Sequence, residues 1–281
     1  MSIWTKEIDR RTLLKGAGLV TGLAAIGAVD GFYIEPKWLD VTRHTLEVEG
    51  LAQRLQGYRL AQITDVHLTS YSKLHDDLVA AVDAYSPQLV VITGDLFDER
   101  TALDDAEHFC ARLATPGRIV VATLGNWEHW SGLPITEIRA LYERHGIALL
   151  VNEHRMVGDG VVVAGTDDGS IRRADLRKTC QALTPGDLKV LLTHAPGVLE
   201  EYPEEAPRFD LTLSGHTHGG QITLAGFAPL RPPGSGSFVA GAYQTRAGFA
   251  YVSRGIGTSL VPARFFCRPE LAFFEFIDSG R

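Results

Sequence analysis

Five short clusters in this chain bring together side chains that bind divalent cations: Asp65-Val66-His67, Gly94-Asp95-Leu96-Phe97-Asp98, Gly125-Asn126-Trp127-Glu128, His194 and Gly215-His216-Thr217-His218-Gly219-Gly220-Gln221. Among the side chains they offer are Asp65, Asp95, Asn126, His67, His194, His216 and His218. That mixture of carboxylate, amide and imidazole suits borderline ions such as Mn, Fe, Zn or Co. Mg alone would prefer more oxygen. Taken singly, each cluster is weak, since Asp-x-His and Gly-Asp arise by chance and a lone His is usually a hydrogen-bonded surface or core residue. Their order and position carry the signal.

Each cluster directly follows an apolar run of strand length. Such runs occur at Arg59 to Thr64, Leu89 to Thr93, Ile119 to Leu124, Val161 to Gly165, Lys189 to Thr193, Leu211 to Ser214, Ala250 to Ser253 and Leu271 to Ile277. Several are continuous Val, Ile and Leu, as in strands buried on both faces. Helical patterns lie between them at Leu74 to Tyr85, Leu103 to Leu113, Ile135 to Arg144 and Arg172 to Leu183. This alternation predicts an α/β layered domain. Loops at strand ends are where such sheets gather side chains from distant sequence, and flanking glycines let several backbones approach one point. Pro232 to Ser237 reads as a loop between strands. No internal repeat is visible.

With 281 residues, 45% of them hydrophobic, the chain can bury one large core. Its formal charge of -7 disfavours a nucleic acid polymer as partner. A small phosphorylated substrate remains compatible, because bound cations reverse the sign of a carboxylate pocket. Cys110, Cys180 and Cys267 are far apart and imply no disulfide framework. No Gly-x-x-x-x-Gly-Lys-Ser/Thr phosphate loop and no Gly-x-Ser-x-Gly elbow is present.

The first thirty residues differ from the rest. A basic stretch through Arg10-Arg11-Thr12-Leu13-Leu14-Lys15 runs into a small, weakly apolar segment, Gly16 to Val29. That order resembles a twin-arginine export leader, although Asp9 and Leu13 stand where such leaders carry Ser or Thr and Phe. The apolar segment is shorter than the roughly 20 residues that cross a bilayer comfortably. We therefore expect residues 1–30 to act as a leader and residues 31–281 to form the domain. The expected location is the periplasm or the outer face of the cytoplasmic membrane, with the export machinery as partner; the alternative is an N-terminal tether with peripheral membrane contact.

The ordered blocks Asp-x-His, Gly-Asp-x-x-Asp, Gly-Asn-x-Glu, His and Gly-His-x-His resemble the calcineurin-like metallophosphoesterase superfamily over about residues 40 to 281. Ser253-Arg254-Gly255-Ile256-Gly257-Thr258, with Arg264-Phe265 and Pro269-Glu270, is similar to a bacterial, often twin-arginine-exported branch that includes UDP-2,3-diacylglucosamine pyrophosphatase-like phosphodiesterases. The resemblance implies a four-layer αββα sandwich. It places one divalent ion on Asp65, His67 and His218, a second on Asn126, His194 and His216, and Asp95 between them. It implies hydrolysis of a phosphodiester or pyrophosphate by in-line attack of a metal-bridging hydroxide, which agrees with the known chemistry of cation pairs about 3.5 to 4 Å apart. Asp95, Asn126 and His216 are then the central catalytic candidates. Asp98 and Glu128 are expected to orient the metal-binding loops or rings.

One block departs from the family. Where the family has Gly-Asn-His-Glu/Asp, this chain has Trp127, so the His credited with protonating the leaving group is missing. Indole donates a hydrogen bond but releases no proton near neutral pH. The expected substrates are diesters or pyrophosphates, lipid- or nucleotide-linked, whose leaving groups need little protonation. His129 is a candidate substitute acid. Trp127 and Arg264 are candidate substrate contacts, the latter because a guanidinium suits two phosphate oxygens. The competing functions are a UDP-2,3-diacylglucosamine pyrophosphatase of lipid A synthesis, a phosphomonoesterase, and a non-catalytic metal-binding scaffold.

Overall fold

A computed structural model describes residues 10–224 and 227–280. The first nine residues of the expected leader, Asp9 among them, lie outside the described residues. Among those described, twelve strands form two six-stranded mixed sheets.

The first sheet runs β1 (Asp40–Val48), β12 (Glu270–Asp278), β2 (Tyr58–Ile63), β3 (Leu89–Thr93), β4 (Ile119–Thr123), β5 (Ala148–Leu149). The second runs β10 (Gly241–Thr245), β11 (Gly248–Val252), β9 (Phe209–Ser214), β8 (Leu188–Leu192), β7 (Val161–Gly165), β6 (Glu153–Gly158). Strands β2 to β5 are parallel, as are β7, β8, β9 and β11.

The continuous apolar runs are explained by burial on both faces. In β3, Leu89 and Val91 join the core between the sheets, while Val90 and Ile92 face the helices α2 (Lys73–Tyr85), α3 (Leu103–Leu113) and α5 (Ile135–Arg144). The inter-sheet core includes Leu60, Val121, Val163, Val190, Leu213 and Phe274. A thinner layer of α6 (Leu176–Cys180) and the turn Pro196–Glu201 covers the outer face of the second sheet over Leu191, Ala250 and Val252. The result is the expected four-layer αββα sandwich.

Three expectations need correcting. The helix expected over Arg172 to Leu183 shrinks to α6, because the backbone amides of Arg173 and Ala174 fold back onto Asp168 O at 2.8 and 3.0 Å. Asp175 caps what remains, accepting from Lys178 N at 2.9 Å. A short helix, α4 (Asn126–Trp130), opens within a cluster read only as a loop. The N-terminal apolar element is longer than its composition suggested: α1 spans Arg10–Val29, and the helical path continues to Lys37. Leu14–Lys37, 24 residues with mean hydropathy 1.5, is long and apolar enough to cross a membrane.

All five clusters of the sequence lie at the C-terminal ends of parallel strands, β2, β3 and β4 from one sheet and β8 and β9 from the other. The two sheets bring these ends together. Gln62, buried between them, ties them there by donating to Thr93 Oγ1 at 3.0 Å and to Ser214 O at 2.9 Å.

Candidate metal centre

The loop after β2 carries Asp65 and His67, the loop after β9 carries His216 and His218, and the fold closes one on the other. Asp65 accepts from the backbone amide of His216 at 2.9 and 3.0 Å and from Thr64 Oγ1 at 2.8 Å. His218 Nε2 then lies 3.4 Å from Asp65 Oδ1 and 3.1 Å from His67 Nε2. Asp65, His67 and His218 form one buried group of converging ligand atoms.

Asp95, His194 and His216 form a second. His194 Nδ1 lies 2.8 Å from Thr93 O, which fixes the proton there and turns the Nε2 lone pair toward Asp95 Oδ2 at 3.1 Å. The other ring follows the same logic: His216 Nε2 donates to Pro233 O at 2.8 Å, leaving Nδ1 to face His194 Nε2 at 3.2 Å. Two imidazole lone pairs this close repel unless a positive charge sits by them. Asp95 Oδ2 also lies 3.7 Å from His67 Nε2, so a single oxygen faces both groups.

The electrostatics match a cation site. Burial, with the nearby cationic groups of His194, Arg264 and His216, pushes His67 down to about 3. His218 is lowered well below the ordinary imidazole range by burial and by His67. Burial raises Asp95 to about 6 against the pull of His194. For His194, burial opposes the charge, yet Asp95 and Asp65 prevail and hold it well above its ordinary value. Asn126 Oδ1, at the start of α4, is buried without a hydrogen-bond partner, as is His67 Nδ1. A buried orphan acceptor costs about 1–3 kcal/mol, a cost that metal ligation would remove for Asn126. The donor set and this orphan atom fit divalent ions.

The backbone is strained at the same place. Asp65, His67, Asp95, His216 and His218 all have positive φ, between 45° and 70°, a conformation that costs a non-glycine residue of order 1–3 kcal/mol. Two glycines permit the close packing. A methyl group on Gly94 would lie 2.6 Å from Gly125 N and 2.7 Å from His194 Nδ1, and one on Gly215 would collide with Thr64 and Asp65.

Glu128 supports the Asp95 loop. Its buried carboxylate accepts from the backbone amides of Asp95 (2.9 Å), Leu96 (2.8 Å), Phe97 (3.3 Å) and Gly125 (2.7 Å). Burial and the nearby Asp95 raise it to about 7. Asp98 Oδ2 lies 4.0 Å from the unpartnered His67 Nδ1. Trp127 donates its backbone N–H to Asp95 Oδ1 at 2.8 Å and sets its ring edge-on to His67, centroids 5.5 Å apart. His129 is paired with Asp167 through Nε2 at 2.7 Å.

Arg264 is not a substrate contact. It is fully buried, and its guanidinium donates to the carbonyls of Gly257 (2.9 Å), Cys267 (3.0 Å), Arg254 (2.9 Å) and Gly255 (3.1 Å). The segment it holds braces the metal-binding loop, since Ile256 N and Gly257 N donate to Thr64 O and Asp65 O at 3.0 and 2.7 Å. A further carboxylate outside the five clusters, Asp168, is buried with Oδ2 unpartnered and favours the charged forms of His194 and His216. It follows β7 as the other clusters follow their strands, so the same rule would have found it.

Comparison with known proteins adds the family. A family model described as calcineurin-like phosphoesterase matches residues 58–220. A metallophosphoesterase of Bacillus subtilis, YkuE, is 30% identical over 96% of this chain and 98% of its own length. One from Aquifex aeolicus is 29% identical over 88% of this chain and 95% of that protein. A transmembrane protein with a metallophosphoesterase domain from Danio rerio is 30% identical over 93% of this chain, which spans 62% of that relative.

Proposed function

This chain belongs to the calcineurin-like phosphoesterase family and is a metal-dependent phosphoester hydrolase, and from that premise we propose that it cleaves phosphodiester or pyrophosphate bonds at a centre built for two divalent ions. Asp65, His67 and His218 would hold one ion, Asn126, His194 and His216 the other, with Asp95 shared. The observation that carries this reading is Asp95 Oδ2, 3.1 Å from a ligand atom of one group and 3.7 Å from a ligand atom of the other. When bound, such a cation pair supplies an activated water and neutralises charge on the phosphoryl oxygens.

The chain's own residues do the positioning. Thr93 O and Pro233 O fix the ring orientations of His194 and His216, so one nitrogen of each ring faces the site before any ion arrives. Glu128 gathers four amides and fixes the Asp95 loop. Trp127 closes the His67 side with an apolar ring, where the family places its proton donor. That exchange supports substrates whose leaving group departs as a stabilised anion.

The apolar helix α1 supports a location at the membrane. Arg10 and Arg11 at the start of an exposed apolar helix support twin-arginine export, with the helix holding the domain at the outer face of the membrane. Such a location disfavours the nucleotide-linked lipid A intermediate, which is made inside the cell. The test is direct: the purified chain supplied with Mn should hydrolyse bis(p-nitrophenyl) phosphate faster than p-nitrophenyl phosphate. Faster monoester turnover would reverse the assignment of bond type.

A further inference from the structure

Exposed apolar side chains crowd one shoulder of the domain beside the metal-binding loops. The stretch that starts directly after His218-Gly219-Gly220 carries Leu224, Phe227 and Leu230, 67%, 69% and 75% exposed. A second stretch carries Leu260 and Phe266, 93% and 69% exposed. The two stretches run side by side: Thr223 N donates to Phe265 O at 2.9 Å, Gln221 Nε2 donates to Val261 O at 2.7 Å, and Ile222 pairs with Phe265 in a parallel bridge. Burying a side chain of this size is worth about 1.5–3 kcal/mol, so a group left in water marks a contact surface.

The helix that can cross a membrane leaves the domain from this same shoulder. Arg264 N donates to Gly31 O at 2.8 Å, and Phe266 N donates to Glu35 Oε2 at 2.8 Å. A methyl group on Gly27 would lie 3.6 Å from the Phe265 ring. The domain end of the helical path carries exposed Tyr33 and Trp38, and the Arg268 guanidinium lies 3.6 Å over the Trp38 ring. Aromatic and basic side chains at the end of an apolar helix belong at the headgroup level of a bilayer. Only 6% of the apolar window is buried in the protein.

We propose that this shoulder seats on the lipid bilayer that α1 enters, making the chain a two-point membrane protein whose metal-binding loops are held at the headgroup surface. The proposal rests on the reading of α1 as a retained tether and is independent of which phosphoester is cleaved. A bilayer fits the surface better than a second copy does, because the helix enters its membrane beside the patch and brings the patch to the lipid without further binding.

The test uses the full chain reconstituted into vesicles of phosphatidylcholine and phosphatidylglycerol, with an environment-sensitive fluorophore on Leu260→Cys. The parent chain, labelled in the same way, supplies the background from the partly exposed Cys180. Nitroxide-bearing lipids should quench the Leu260→Cys label at least twofold more than they quench the parent, and iodide in the water should leave it bright. Quenching by iodide but not by the lipids would overturn the proposal. So would self-quenching that grows with protein density, which would place a second copy on the patch. Turnover of bis(p-nitrophenyl) phosphate in detergent should be the same for parent and variant; if both are inactive while the lipid quenching persists, the proposed chemistry fails and the docking stands.

Discussion

Asp95 and His194 are bound into one unit: the carboxylate oxygen Oδ2 lies 3.1 Å from imidazole Nε2, and the far nitrogen of the same ring is anchored on Thr93 O at 2.8 Å. A carboxylate orients an imidazole that the backbone has already fixed, so the pair needs no rearrangement to receive a cation. Because the same Oδ2 also faces His67, the unit joins the two ligand groups.

Replacing Asp95 by Asn keeps the volume and removes the charge that holds the centre together. We expect loss of about a thousandfold or more in turnover of bis(p-nitrophenyl) phosphate, several kcal/mol of barrier, with retained secondary structure. Steady-state kinetics and circular dichroism on one preparation check both parts.

Glu128→Gln tests support of the loop rather than ligation. An amide cannot accept four backbone N–H groups as a carboxylate does, and loss of such an outer partner typically costs 10–100-fold in metal affinity. Competition with a fluorescent chelator should show weaker binding by about that factor. Unchanged affinity would remove Glu128 from the support of the site.

Gly94→Ala should damage both the fold and the metal-binding loops. Its φ is 85°, and the new methyl group would press on Gly125 N and His194 Nδ1. A loss of about 1–3 kcal/mol is expected from backbone strain alone, read as a lower midpoint in urea together with reduced metal content.

Trp127→His restores the proton donor that the family carries at this position. General acid catalysis contributes typically 10²–10⁴-fold, so turnover of an alkyl phosphomonoester should rise by about tenfold or more, while bis(p-nitrophenyl) phosphate, with its good leaving group, changes little. Equal effects on both substrates would separate Trp127 from leaving-group chemistry.

Much of this architecture was legible in the sequence, and the boundary between read and unread follows burial. The eight strands expected from apolar runs are the central ones, whose residues face apolar surroundings on both sides. The four strands not expected, β1, β5, β6 and β10, are the four sheet edges. There polar residues such as Glu153, His154 and Arg155 are tolerated and the apolar signal fades. The ligand residues were legible because loops at strand ends must carry them in a fixed order. Their positive φ values were not, since nothing in Asp65 or His218 as residue types announces a left-handed backbone. Arg264 was misjudged for a similar reason: a guanidinium that satisfies four carbonyl oxygens reads in sequence like one waiting for phosphate.

Metal content is the most direct measure of a paired cation centre. The full chain, purified without chelator, should carry close to two divalent ions per molecule by elemental analysis. It should lose phosphodiesterase activity when stripped and regain it with added Mn, while the Asp95→Asn variant should hold fewer ions and stay inactive. A stripped chain that hydrolyses bis(p-nitrophenyl) phosphate as fast as the loaded one would rule out a catalytic cation pair.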